Sequence, residues 1–293
     1  MLNKIEFKKI RDFGEIINDT FLFLKQNFKP LLKVFIYLCG FFILASMIVG
    51  INEQISLQKI TGAPGRFPVF SLLNPLLIVE YLFSFIFGLA SFTAMNLSIL
   101  CFISLYVEKG NVAPTVEEVW AYFKYFFFRA MGSFVVISFF MALCFVCLIL
   151  PGIYVFPALS IFFPVMIMEN GSLSHSFGRA FKLLKDQWWS TAGTLLIIWI
   201  ITTACSSIAS LPAMALTLFG VFASSSGTHM LSNTVIIVST ISQSICQVFM
   251  IIPIVCVSFI YFNLVERREN VGLMDRINHL GETKENFNSN EAY

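Results

Sequence analysis

Few residues in this chain could do chemistry. Glu80 is the one acid beside or inside a long apolar run, between Val79 and Tyr81. A carboxylate in hydrocarbon is costly unless protonated or paired, so a residue placed there would serve an ion or a proton. No Lys or Arg inside an apolar run is available to pair with it. The favoured reading makes Leu72 to Val79 an outer interfacial segment and leaves Glu80 at headgroup depth. A second set is made of small hydroxyls, Ser206, Ser207 and Ser210 in one run and Ser239, Ser242 and Ser244 in another, with Gln243 and Gln247 nearby. Such residues ordinarily let helices approach and hydrogen-bond, and helix packing is the expectation. The sharper alternative is a polar cavity between the two runs, which carry no ionisable group before Glu266. Glu80, Gln243 and Gln247 are therefore the candidates for a polar intramembrane site.

Other chemistries have little to stand on. All seven cysteines fall within apolar runs, where a thiol behaves as a small hydrophobe. Cys144 and Cys147 have a C-x-x-C spacing but no second pair, so neither a disulfide framework nor a metal cage is expected. The histidines, His175, His229 and His279, are too scattered to share a metal. No Gly-rich phosphate loop, nucleophile motif or carboxylate cluster is present, so the expectation is a protein that is not an enzyme and uses no cofactor. A net charge of +2 gives no reason to expect nucleic acid as a partner.

The elements that carry these residues follow from composition. Of 293 residues, 57% are hydrophobic, 12% are charged and 34 are Phe, and the mean hydropathy is +0.82. A soluble domain keeps about 25% charged residues to cover its surface, so this chain must be solvated by lipid. Crossing a hydrocarbon core takes roughly 20 helical residues. Six charge-free runs fit: Val34 to Ile51, Tyr81 to Val107, Ala130 to Leu150, Gly152 to Met168, Trp189 to Phe219 and Thr234 to Val265. Pro151 and Gly152 read as a tight turn between the third and fourth, Pro212 as a kink or stop in the fifth, and Pro157, Pro164 and Pro253 as further kinks. All but Lys59 and Arg66 of the 19 basic residues lie before the first run, in alternate loops or after the last, which puts both termini in the cytoplasm. The mixed, charged start of the chain does not read as a removable signal peptide.

Three segments that precede runs have helical rather than loop-like periodicity. The first places Ile17, Phe21, Leu24, Phe28 and Leu31 on one stripe, and the second Val116, Val119, Trp120, Phe123 and Phe127. The third runs through Leu173, Phe177, Phe181, Leu184 and Trp188. Thr115 with Glu118 has capping-box spacing, and Ser172 is a candidate cap. Each segment pairs lysine with aromatics near its end, as Leu24-Lys25-Gln26-Asn27-Phe28, Phe123-Lys124-Tyr125-Phe126-Phe127 and Leu184-Lys185-Asp186-Gln187-Trp188. These read as cytoplasmic interfacial helices, with aromatics at headgroup depth and cations reaching phosphate. Lys25, Lys29, Lys124, Arg129, Arg179, Lys182, Lys185, Trp120, Trp188 and Trp189 are the candidate headgroup contacts. The chain then consists of three units of one interfacial helix and two spans, by internal duplication or by convergence on the same anchoring chemistry. Residues 1–270 form the membrane domain. Residues 271–293 form a tail, a short amphipathic helix through Leu273, Met274, Ile277 and Leu280 followed by a disordered end.

Two stretches carry a family resemblance: Gly14-Glu15-Ile16 through Asn27-Phe28-Lys29-Pro30-Leu31-Leu32, and Leu150-Pro151-Gly152-Ile153-Tyr154 through Glu169 to Phe181-Lys182-Leu183-Leu184-Lys185 and Trp188-Trp189. The chain resembles the membrane domain of bacterial glycerophosphoryl diester phosphodiesterases and related stand-alone bacterial integral membrane proteins without an assigned function. In that family hydrolysis belongs to a separate soluble barrel, for which the short tail leaves no room, so the activity is not carried over. The resemblance implies a bacterial inner-membrane location and an accessory role. The expectation is an all-α, multi-pass protein that organises membrane lipid or an unknown membrane protein partner. The alternative is a transporter or channel for a lipid or other small apolar solute. The sequence does not state an oligomeric state.

Overall fold

The structure, a computed structural model, describes residues 5–61, 75–147, 149–223 and 233–269. The tail helix, Arg66, His229, His279 and most of the uncharged loop after Gly220 lie outside the described residues. Nine α-helices and one 3-10 turn make up the secondary structure, with no strand among the described residues. They are α1 Phe13–Thr61, α2 Pro75–Glu108, α3 Val116–Cys147, α4 Ile149–Ser160, α5 Phe162–Met168, α6 Leu173–Leu184, α7 Trp188–Ala223, α8 Asn233–Cys246 and α9 Ile251–Glu269, with the 3-10 turn Gln247–Met250 between the last two. Helices satisfy every backbone group internally, which is what a chain this poor in polar surface requires.

Among the described residues, five helical segments are long and apolar enough to cross a membrane, and Gly152–Met168 is a shorter apolar segment. Burial sorts them into two layers. The apolar windows of α2 and of the α8–α9 segment are 67% and 61% buried, against 22% for each of α1, α3 and α7. The first two therefore form the centre and the other three wrap it. In α2 the consecutive residues Leu97, Ile99, Leu100, Cys101, Phe102 and Ile103 are all buried, as expected of a helix apolar on every side. α1 returns as α2 in an antiparallel pair, with Cys39 Sγ 3.2 Å from Ser98 Oγ and Ser56 Oγ donating to Glu80 Oε1 at 3.0 Å. α3 is likewise antiparallel to α4 and α5. Phe134 lies against Phe163 and Ser133 against Met166, and a side chain at Gly152 would collide with Phe145.

Polar caps and prolines set the ends and bends. Gly110, at φ +65°, closes α2: its N–H donates to Val107 O at 3.2 Å, while Asn111 N–H reaches Tyr106 O at 2.9 Å. Thr115 and Glu118 then form the expected capping box, and Ser172 accepts from the His175 N–H at 3.3 Å to start α6. Only α6 stands as a separate amphipathic helix. The other two amphipathic segments are joined to the runs that follow, one across a bend at Asn27 (φ −113°, ψ 16°) within α1 and one without interruption in α3. Pro30 accounts for the bend, since its ring clashes with the Gln26 carbonyl and it donates no N–H. The face of the first segment turned into the bundle is Ile16, Thr20, Phe23, Asn27 and Leu31, while Phe21 and Phe28 point outward.

One boundary differs from expectation, and two breaks fall beside prolines expected to kink the chain. Pro151 and Gly152 lie in the first turn of α4 rather than in the turn itself, because proline is tolerated where its missing N–H would have no partner. The fourth run is broken at Ile161 into α4 and α5, between Pro157 in α4 and Pro164 in α5. Pro212 is accommodated inside α7, whereas the sixth run is interrupted by the 3-10 turn just ahead of Pro253, whose absent N–H leaves the Phe249 carbonyl without its helical donor.

The residues before α1 fold into the bundle. Phe7 is 1% exposed and stacks on Phe259 at 4.3 Å, with Phe23, Tyr106 and Phe262 edge-on around it. Arg11 is 2% exposed. Its guanidinium donates to Asp19 Oδ2 at 2.8 Å and to the carbonyls of Phe7, Lys9 and Glu6. Its own N–H donates to Asn263 Oδ1 at 2.9 Å, and Arg267 Nη2 donates to its carbonyl at 2.8 Å. This strap ties α1, α2 and α9 together at one end of the bundle.

Candidate functional site

A cleft of about 980 Å³ opens where α7 and α8 part from the rest of the bundle. One wall is mostly apolar, with Phe92 from α2, Phe134 and Ile137 from α3, Phe156 and Leu159 from α4 and Phe163 from α5, interrupted by Asn96, Ser138 and Ser160. The other wall is polar but uncharged. On α7, Thr203, Ser206, Ser207 and Ser210 follow the i, i+3, i+4, i+7 spacing of one helical face, and on α8 Ser239, Ser242, Gln243 and Cys246 do the same. Trp199, Met214 and Phe156 line the cleft and are 65%, 58% and 50% exposed, so it is open to the protein's surface. At its base Trp188 pins α7 to α4: the indole stacks on Tyr154, and Nε1 donates to the Tyr154 carbonyl at 2.9 Å.

α7 and α8 touch along these faces, with Cys246 Sγ 3.6 Å from the Ser206 carbonyl, and the same faces border the cleft. Several hydroxyls spend their hydrogen on their own helix: Thr202 on Ile198 O at 2.7 Å, Ser210 on Ser207 O at 3.0 Å and Ser239 on Ile236 O at 2.9 Å. Oxygen lone pairs are left over, making the wall rich in acceptors. Among the described residues, no Asp, Glu, Lys, Arg or His lines the cleft.

The three intramembrane candidates do not form one site. Gln243 lines the cleft, Gln247 sits one residue beyond Cys246 with its Oε1 buried and unpartnered among the described residues, and Glu80 is held by Ser56 on the other helix pair. An α-helix rises roughly 35 Å between Lys33 and Ser56, slightly more than the roughly 30 Å of a hydrocarbon core.

The basic-aromatic candidates divide into exposed and structural groups. Lys25, Lys29, Lys182 and Lys185 are exposed, Trp189 is 83% exposed, and Lys124 lies 5.5 Å from the centre of the Trp120 ring. Arg129 instead donates to Asn170 Oδ1 at 3.0 Å, while Trp188 serves the cleft's base. Arg179 is the most committed. It donates to Glu169 Oε1 at 3.0 Å and to Glu269, and Tyr261 Oη donates to the same Glu169 oxygen at 3.2 Å. Burial works against the Arg179 charge, but the Glu269 and Glu169 carboxylates more than offset it and hold its pKa above the ordinary value. Arg179→Gln leaves those two carboxylates facing each other and is expected to cost about 1–3 kcal/mol. Adding Glu169→Gln should recover part of the loss in a double-mutant cycle of thermal unfolding in detergent.

Sequence reasoning missed the apolar wall, because Phe92, Phe134 and Phe156 carry no signal beyond that of any span. It also missed Phe7 and Arg11, whose stretch read only as mixed charge. Comparisons of the chain with protein-family models, curated proteins and solved structures found no match.

Proposed function

We propose that this multi-pass membrane protein is a non-enzymatic lipid-handling protein that takes one lipid or lipid-like molecule from the bilayer into the cleft beside α7 and α8. The observation that carries the reading is the cleft itself, mostly apolar on one wall, hydroxyl-lined on the other and open to the surface among Phe156, Trp199 and Met214. Its volume lies at the upper end of the range of ligand sites, about 300–1,000 Å³. The exposed cations of α6 and the first amphipathic segment support anchoring to anionic headgroups on the side where Arg179, Arg267 and Arg268 also lie. Native mass spectrometry of the purified full chain after delipidation is the direct test. The expected result is one retained lipid per protein. An empty cleft would remove this reading in favour of a scaffold for a partner membrane protein.

The distribution of cations supports cytoplasmic termini, and with the family resemblance it supports a bacterial inner membrane. Val112 follows α2, and Asn52 lies near the far end of α1. Cysteine placed at Val112 should react with an impermeant thiol reagent from the cytoplasmic side alone, and cysteine at Asn52 from the opposite side alone. Labelling of both from one side would overturn the topology.

A further inference from the structure

The lining of the cleft narrows the ligand's chemistry, and the narrowing rests on reading the cleft as a lipid site. Thr203 and Ser207 lie roughly 22 and 28 Å along α7 from Trp188, in the far half of a hydrocarbon core of about 30 Å. A phosphate carried there would need a cation or a set of donors. Among the described residues the cleft has no Lys, Arg or His, and Thr202, Ser210 and Ser239 have committed their hydroxyl hydrogens to backbone carbonyls, so the donors left to it are neutral hydroxyls and amides such as Ser207 and Gln243. An anionic head would leave its charge uncompensated in a low-dielectric site. An uncharged head that donates hydrogen bonds meets the opposite situation. It finds unused lone pairs along two facing helical stripes and the Gln243 amide, which both donates and accepts.

We infer that the cleft selects an uncharged, hydroxyl-bearing lipid of the mono- or diacylglycerol class over anionic phospholipid, its free hydroxyl lying between Ser207 on α7 and Gln243 on α8 and its chain against Phe134 and Phe156. The lipid's hydroxyl meets neutral hydroxyl and amide partners on the polar wall, and its hydrocarbon replaces open space against the aromatic wall. Neither contact requires a charge.

Photoactivatable diacylglycerol and photoactivatable phosphatidylglycerol, with the reactive group at the same chain position, test this on the purified full chain. Diacylglycerol should label α7 and α8 peptides at least tenfold more than phosphatidylglycerol, and excess unlabelled diacylglycerol should compete. Equal labelling by the two would overturn head selectivity while leaving the cleft a lipid site. Labelling of the cleft by neither would overturn the lipid-site reading, and this inference with it. Ser207→Ala removes the hydroxyl with little change in volume and should lower diacylglycerol labelling about fivefold, the equivalent of one hydrogen bond. Gln243→Lys adds the missing cation and should shift preference toward phosphatidylglycerol by at least tenfold, with thermal unfolding confirming that both variants fold. An unchanged preference in Gln243→Lys would overturn the electrostatic basis of the selectivity.

Discussion

Phe7→Ala should lower the thermal unfolding midpoint of the detergent-solubilised protein by roughly 6–12 °C, the shift expected from a loss of about 3 kcal/mol in a protein of this size. Phe7 belongs to none of the spanning helices, yet it fills the space among Phe23, Tyr106, Phe259 and Phe262, three of them on α2 and α9, the two central elements. Truncation leaves a cavity where the bundle is most tightly packed, and it removes stacking worth about 0.5–1.5 kcal/mol per aromatic pair. Arg11→Ala should have an effect of similar size for another reason. It abandons the carbonyls of Phe7, Lys9 and Glu6 and leaves Asp19 without its cation. The two variants together should fall short of the sum of their separate effects, because both act by releasing the same strap. Midpoints unchanged within 2 °C would show that residues 5–11 are not part of the stable bundle, contrary to their burial.

Legibility in the sequence followed the physical range of each signal. Spans are legible because a charge-free run of about 20 residues has few soluble alternatives, and the caps at Thr115 and Ser172 are legible because their partners lie three residues away. The Glu169 contact with the following basic helix could also be anticipated, since only a short turn separates them. Proline effects were harder. Pro30, Pro212 and Pro253 have the same local chemistry, yet one accompanies a bend, one is absorbed in a helix and one follows a 3-10 turn, because the neighbouring helices decide where freed carbonyls find partners. The cleft could not be read at all as a shape. Its polar stripes are periodic and visible, but whether a stripe meets a helix or open space depends on α7 diverging from α4 and α5, a tertiary fact set by residues more than 30 positions away in the chain. The same limit hid the N-terminal strap, whose partners Phe259 and Asn263 lie at the other end of the sequence.

Filling the cleft should abolish lipid retention without harming the fold. Thr203 and Ser207 lie one turn apart on the polar face of α7, so the double substitution Thr203→Phe, Ser207→Trp projects two large rings into the space a ligand would use. In a packed core such enlargement forces strain of about 1–3 kcal/mol, but here the rings enter volume no side chain occupies. Lipid recovered with the purified protein is therefore expected to fall at least tenfold, while the thermal midpoint stays level or rises. Leu196→Trp is the matched control: the same helix, a similarly large ring, but a position that is 59% exposed and does not line the cleft. Occupancy by lipid requires that only the first variant lose it. If both variants kept their lipid, the molecules recovered would be annular lipid on the outer surface, and the cleft would be a gap between helices that serves no ligand.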